Sequence, residues 1–279
     1  MDDQVRDEII RSVAESPLNR FPDSSEPYFG VPLVGFAAAD DPLFTDYKRI
    51  IGSFHMTPHE VLQAAYGPEA RAATVISWVL PITPATRASN RPEKCFPSRA
   101  WSQTRTFGEQ CNADLRKRLV SWLEAQGYKA VAPQLAPSWQ EFAETPVGIA
   151  STWSERHAAY AAGLGTFSLN DGLITPVGIA QRCGSVVTDL PLTPTPRTAP
   201  HFRHNCLFYR EGTCGACIAR CPVGALSREG HDKDICRDYV YKTVIAALAK
   251  EYGVTATGCG LCQTAVPCEG CIPPGSRRD

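Results

Sequence analysis

Nine of the twelve cysteines fall between Cys206 and Cys271, in the last quarter of a 279-residue chain. Their centre is Thr213-Cys214-Gly215-Ala216-Cys217-Ile218-Ala219-Arg220-Cys221-Pro222, in which a Cys-x-x-Cys pair is followed by three residues and Cys-Pro. That is most of the run with which bacterial ferredoxins hold a [4Fe–4S] cluster. Cluster ligation needs thiolates at fixed separation with backbone N–H groups turned to sulfur, and short spacings with glycine supply that geometry. The usual run has one more cysteine three positions before Cys214, where this chain has Glu211, so Cys206 must reach in from an offset of eight residues.

A second group, Cys236, Cys259, Cys262, Cys268 and Cys271, is built around the tight pair Cys259-Gly260-Leu261-Cys262. In two-cluster ferredoxins the cysteine before proline ligates the other cluster. On that logic one set is Cys206, Cys214, Cys217 and Cys268, and the other is Cys221, Cys236, Cys259 and Cys262, with Cys271 the alternative to Cys268. A zinc tetrathiolate also uses Cys-x-x-Cys pairs, but the 41 residues between Cys217 and Cys259 exceed zinc-ribbon spacing. The scattered Cys95, Cys111 and Cys183 are expected to be buried small side chains.

The elements that must position these thiols begin with a helix from Asp3 to Val13, with Val5, Ile9, Ile10 and Val13 on one face. Pro32 to Ala37 reads as a short buried strand. Asp41-Pro42 and Thr57-Pro58 each open a helix, and that placement leaves His55 and His59 structural rather than a metal pair. Ala73 to Pro81 is the strongest strand signal and belongs mid-sheet. Thr83 to Arg105, rich in Pro, Arg and Ser, shows no periodicity and is expected to be a long loop. A helix follows from Phe107 to Ala125, stopped by Gly127, then a strand from Tyr128 to Ala132. Ser154 to Gly165 reads as a close-packing helix, and Gly172–Thr175 and Gly184–Leu190 as a hairpin turned by Pro176-Val177-Gly178 that completes the sheet. Pro191 to Pro196 marks a boundary between a domain over 1–195 and another over 196–279. Within the second, Asp238 to Lys250 is helical through Val240, Val244 and Leu248.

Hydrophobic content of 43%, charged content of 20% and a formal net charge of −1 describe an ordinary globular chain with no electrostatic signal for nucleic acid or a membrane surface. The N-terminus has neither an apolar leader run nor a twin-arginine motif, so a cytoplasmic location is expected and thiol ligation is favoured over disulfides.

Ser154-Glu155-Arg156 through Gly163-Leu164-Gly165, Leu173-Ile174-Thr175-Pro176, Val187-Thr188-Asp189-Leu190, Cys214 to Leu226, Cys236 and Gly258 to Gln263, in that order, resemble the superfamily of epoxyqueuosine reductases and reductive dehalogenases. The resemblance runs from about residue 147 onward and touches the first half only at Leu33 to Ala37 and the strand ending at Pro81. It implies a nitroreductase-like α/β domain that seats a corrinoid such as cobalamin, followed by a small ferredoxin-like domain whose two [4Fe–4S] clusters pass electrons to it. Thr175, Gly178 and Ser185 are then the candidate corrinoid contacts, and Glu155, Arg156, His157 and Tyr160 the candidate acid–base residues. Epoxyqueuosine reductases carry an acidic proton donor six residues before the Glu-Arg pair, where this chain has Ile149. That departure argues against a tRNA-modifying role. The expected activity is reduction of a small molecule or nucleoside, or of the corrinoid itself, with electrons from a donor such as ferredoxin or flavodoxin. The alternative is an electron-transfer or corrinoid-activating partner without substrate chemistry, which an exposed apolar patch in place of a polar pocket would favour.

Overall fold

The computed structural model describes residues 1–275. Helix α1 (Asp2–Glu15) buries Val5, Ile9 and Val13, one side chain per turn, while Ile10 turns to solvent. Strand β1 (Leu33–Ala38) leads to α2 (Pro42–Ile50), whose first turn is closed by the Asp41 carboxylate accepting from the Leu43 N–H. Helix α3 (Pro58–Tyr66) starts with a complete capping box between Thr57 and Glu60. Strand β2 (Thr74–Pro81) is buried on both faces, which is why its sequence is a continuous apolar run.

Between Thr83 and Arg105 the chain departs from the expected loop. Helix α4 (Pro84–Asn90) begins with proline at its first position, and α5 (Arg99–Ala125) begins at Ser98, whose hydroxyl accepts from the Trp101 N–H at 3.2 Å. Over its first turns α5 buries Ser102, Thr104, Thr106 and Gly108 with a single large apolar side chain, Trp101, so no hydrophobic period announces it. Further along, Leu115, Leu119 and Leu123 restore that period, each contributing about 1.5–3 kcal/mol by burial.

The chain continues through β3 (Ala130–Val131), the small pair β4 (Glu141–Phe142) and β5 (Ala150–Ser151), α6 (Glu155–Ala161), β6 (Thr166–Phe167), β7 (Leu173–Ile174) and β8 (Gln181–Thr188). The main sheet has the order β1-β2-β8-β3 with every neighbour antiparallel. The expected hairpin of β7 with β8 does not form: β7 pairs with β6 in a separate two-stranded sheet, and β8 pairs with β2 and β3. Pro176 to Gly178 still turn the chain, with Thr175 and Gly178 exchanging backbone hydrogen bonds, but the turn redirects β8 into the sheet interior.

Alternation along β2 splits the core. Ile76, Trp78 and Leu80 face α1 and α5, while Val75 and Val79 face α2, α3 and α6. Trp78 lies opposite Gly184, where any side chain would collide with the indole, and its Nε1 donates to Asn112 Oδ1 at 2.9 Å. The result is a mixed α/β fold, a sheet covered by helices on both faces.

The Pro191 to Pro196 stretch is extended along the outside of β1, where Thr195 N–H donates to the Phe36 carbonyl at 2.8 Å. Beyond it come α7 (Leu207–Glu211), α8 (Ala216–Arg220), α9 (Lys233–Asp238), a π-helical stretch over Tyr239–Val244, and α10 (Ile245–Tyr252). No helix among the described residues is long and apolar enough to cross a membrane.

Candidate functional site

Cys206, Cys214, Cys217 and Cys268 line one cavity of about 20 Å3, and Cys221, Cys236, Cys259 and Cys262 line another of about 220 Å3. The displaced first cysteine is returned by α7: the Cys206 carbonyl accepts from the Arg210 N–H at 2.9 Å, and Gly212, in the left-handed region at φ +70°, turns the chain back to Cys214. Cys268 is held by its carbonyl, which accepts from the Ile179 N–H at 2.9 Å. Gly260 (φ +65°) lies so close to the Trp101 indole that no side chain fits there, which seats the Cys259–Cys262 pair against α5. Cys271 is exposed and lines neither cavity. Cys95 is exposed, contrary to expectation; Cys111 is buried and Cys183 half-buried.

Burial pushes the Cys217 and Cys259 thiols up to about 11 and the Cys268 thiol to about 12, and neighbouring cysteines of the same set push in the same direction. Cys262 is raised further still. Alone, such thiols stay protonated; the positive charge of a bound metal group is what draws them into thiolate form. Among the described residues no three His, Cys, Asp or Glu side chains converge on a single-ion position. Four thiols around each of two spaces match the donor set of a [4Fe–4S] cluster, which a zinc tetrathiolate shares. Asn170 lines both cavities, and its Nδ2 donates to the Cys262 carbonyl at 2.9 Å.

Arg156, one of the acid–base candidates, lines the larger cavity together with two arginines that the sequence pattern did not single out, Arg105 and Arg182. Arg182 Nε donates to Glu109 Oε2 at 2.8 Å, and Arg116, only 1% exposed, reaches Glu109 at 3.0 Å and Glu155 at 3.2 Å. Although burial pushes the Glu109 carboxyl up, the two guanidinium groups beside it hold it at about 2. Arg105 and Glu109 are four apart on α5, a spacing that places both on one face, and this was the available signal.

The four acid–base candidates are not brought together. Glu155 is buried in the Arg116 network, where Ser185 Oγ donates to it, and burial raises its carboxyl above the usual range. Arg156 is exposed at the larger cavity. His157 points the other way, its ring 4.8 Å from those of Tyr47 and Phe167, with Nδ1 2.8 Å from Ser154 Oγ. Tyr160 packs on Phe167 at 5.7 Å. Successive residues on a helix diverge by about 100°, so this scatter follows from placing the motif on α6.

Nor do Thr175, Gly178 and Ser185 face a common cavity. Thr175 Oγ1 donates to the Gly178 carbonyl at 2.9 Å, and Gly178 (φ +88°) packs against the Glu269 carbonyl. Ser185 is fully buried between Glu155 and the Trp153 indole, whose Nε1 donates to its hydroxyl at 2.9 Å.

No family model matches the chain. It is 32% identical over 120 residues to the epoxyqueuosine reductase of Bacillus anthracis, covering 41% of this chain and 29% of that one. The epoxyqueuosine reductase of Streptococcus thermophilus has the same fold, with a TM-score of 0.54 at 18% identity over 98% of this chain and 68% of its own. A catabolic reductive dehalogenase aligns with a TM-score of 0.54 at 16% identity over 85% of this chain and 30% of its own. An epoxyqueuosine reductase solved with an epoxyqueuosine-modified tRNA stem loop aligns at 0.53 and 18% identity. The resemblance to this superfamily of oxidoreductases therefore holds in fold and, over the matched stretch, in sequence. The chain spans less than a third of the curated relative's length and about two thirds of the solved epoxyqueuosine reductases.

The residues named for a corrinoid do not form a common seat for one. The candidate corrinoid contacts are committed to packing elsewhere.

Proposed function

We propose that the chain is a cytoplasmic iron–sulfur reductase in which residues 196–279 form a ferredoxin-like unit holding two [4Fe–4S] clusters, and residues 1–195 a nitroreductase-like unit that supplies walls of the substrate cavity. The single observation that carries this is the sorting of eight cysteines into two sets of four around neighbouring cavities, each set taking a thiol from the other end of the tail. Bound clusters would supply single electrons from a donor such as ferredoxin or flavodoxin.

The chain's own residues do the rest. Asn170 fixes the spacing between the two sets through the Cys262 carbonyl. Phe208, Ile174, Ile179 and Val266 exclude water from the first, while the second opens beside Arg105, Arg156 and Arg182. A cavity lined by three arginines supports a reductase over a docking partner without its own chemistry. The modified tRNA taken by the relative is not the expected substrate, because Ile149 stands where the resemblance places the proton-donating acid.

Iron and sulfide analysis of anaerobically purified protein, with electron paramagnetic resonance after reduction, tests the proposal. Two reducible [4Fe–4S] clusters are expected, retained in Cys271→Ser and cut to one in Cys268→Ser. Stoichiometric zinc without iron would sink the cluster assignment.

A further inference from the structure

The first cysteine set lies beside aromatic rings that carry charge on their outer side. Phe208 lines that cavity, and the exposed guanidinium of Arg228 sits 5.3 Å from the centre of its ring. Tyr209, packed in the same apolar cluster as Cys206 and Cys217, holds the exposed Arg203 at 4.1 Å, and Phe202, 49% exposed, faces the same guanidinium at 5.0 Å. Contact with the ring faces holds each arginine in place while its donors stay in water. The loop that carries Arg203 is fixed as well. Its N–H donates to His201 Nδ1 at 3.2 Å, and the Phe202 carbonyl accepts from the Phe167 N–H at 2.7 Å, which ties the loop to β6. Side chains already held in this way lose little freedom when a partner meets them.

Neither arginine is neutralised within the chain. Residues 201–231 hold four arginines and two glutamates, with no lysine or aspartate. Arg210 pairs with Glu211 at 3.0 Å, and Arg220 is turned inward onto backbone carbonyls. Among the described residues Arg203 and Arg228 form no ion pair. Glu229, next to Arg228 in the chain and exposed, feels its charge without reaching ion-pair distance, and Asp171 is taken by His231 at 3.1 Å. The formal net charge of the whole chain is −1, so attraction for an anionic partner is local to this face.

We propose that this face docks a small acidic electron-transfer protein of the ferredoxin or flavodoxin kind, with Arg203 and Arg228 on the partner's carboxylates and Phe202 as the apolar contact between them. The assignment rests on the reductase proposal, since it names the surface through which that reductase is supplied. A cluster on four thiolates is negatively charged and so is such a donor; cations placed between the two offset their repulsion and steer the encounter. Offsetting the charge of the bound cluster alone is the competing role for the two arginines, and it does not need them exposed.

Stopped-flow mixing of the anaerobically prepared, iron-loaded full chain with a reduced, acidic [2Fe–2S] ferredoxin separates the two. Each ferredoxin gives up one electron and is oxidised as the cluster beside Cys206 is reduced, and the ferredoxin's visible absorbance reports the rate. Arg203→Glu and Arg228→Glu are each expected to slow the second-order rate by about tenfold at low ionic strength, with iron content unchanged. In about 1 M salt, where charges are screened beyond about 3 Å, both should converge on the parent. Arg203→Lys, which keeps the charge, should stay within about threefold of the parent, and Arg49→Glu on α2 should match it. If charge reversal lowers the iron content, Arg203→Gln and Arg228→Gln carry the same test with half the charge change. An iron-loaded parent that does not react with ferredoxin, arginine variants that react at the parental rate, or an Arg49→Glu protein slowed as much as they are overturns the docking face and leaves the reductase proposal standing. So does an RNA stem loop that binds the parent but not the double variant while the ferredoxin rate is unaltered, which would give the face to nucleic acid. Protein that takes up no iron overturns the reductase proposal and the docking face with it.

Discussion

Tyr47 stands between two histidines, its ring 5.7 Å from His55 and 4.8 Å from His157. Burial drives both imidazoles down, His55 to about 4 and His157 to about 3. Lys48 adds to the effect at His55 against Glu60; at His157, His55, Arg156 and Lys233 add to it against Asp171. His157 is thus neutral near pH 7 and has no proton to donate there, so its place in the packing outweighs its place in the motif. In the unfolded chain each histidine titrates at 6.5, so below that pH the unfolded state binds more protons than the folded one. Stability is full above 6.5 and falls as the pH drops toward 4, by roughly 1.4 kcal/mol per pH unit for each histidine. Denaturant unfolding at about pH 7 and about pH 5.5 should show this loss, and His157→Phe should halve it. An unchanged slope in the variant would assign the pH dependence to other groups.

At the scale of elements, α4 and the start of α5 clasp the cysteine-rich tail. Asn90 Nδ2 donates to Thr264 Oγ1 at 3.1 Å, and Arg91 meets Glu269 at 2.7 Å. From the tail side, Arg220, next to Cys221, donates to the carbonyls of Leu261, Thr264, Glu93 and Asn90 at 2.8–3.2 Å. Removing that guanidinium leaves four acceptors short of a donor, so Arg220→Met should cost on the order of 3 kcal/mol. The loss would be read as a lower urea midpoint and as faster amide exchange over residues 259–269. Arg91→Ala should do much less, because Arg91 is half exposed and its ion pair is screened. Equal effects from the two variants would mean that the clasp is not centred on Arg220. The helix cap is separable: Ser98→Ala should cost about 1 kcal/mol without altering iron content.

Across the whole molecule, the tail closes one side of a cavity whose other walls come from α5, α6 and β8, so neither part makes the site alone. The commitment of Thr175, Gly178 and Ser185 to packing predicts no spectral change when cobalamin is titrated into anaerobic, iron-loaded protein. A shift in its visible bands would show that the macrocycle binds without those contacts and would reinstate the corrinoid that the resemblance implies.

How much of this was legible in the sequence depended on whether the cause was local. A cap such as Thr57 before Pro58 and the apolar run of β2 are each set by neighbours in the chain, and they were readable; the eight cysteines line the two cavities in sets of four, and iron analysis tests their role as ligands. Helix α4 and the first turns of α5 were not readable, because the surface they bury is, Trp101 apart, polar and small and its partner is the tail some 160 residues away. The same holds for the strand order, where β8 joins β2 across about 110 residues and leaves β7 to β6. The sequence by itself determined the spacing of the thiols and the apolar layers, since both follow from residue type and period. Only the tertiary structure decided which side of α6 each candidate residue occupies, and which arginines meet at the cavity, because burial and like-charge contact are properties of packed elements.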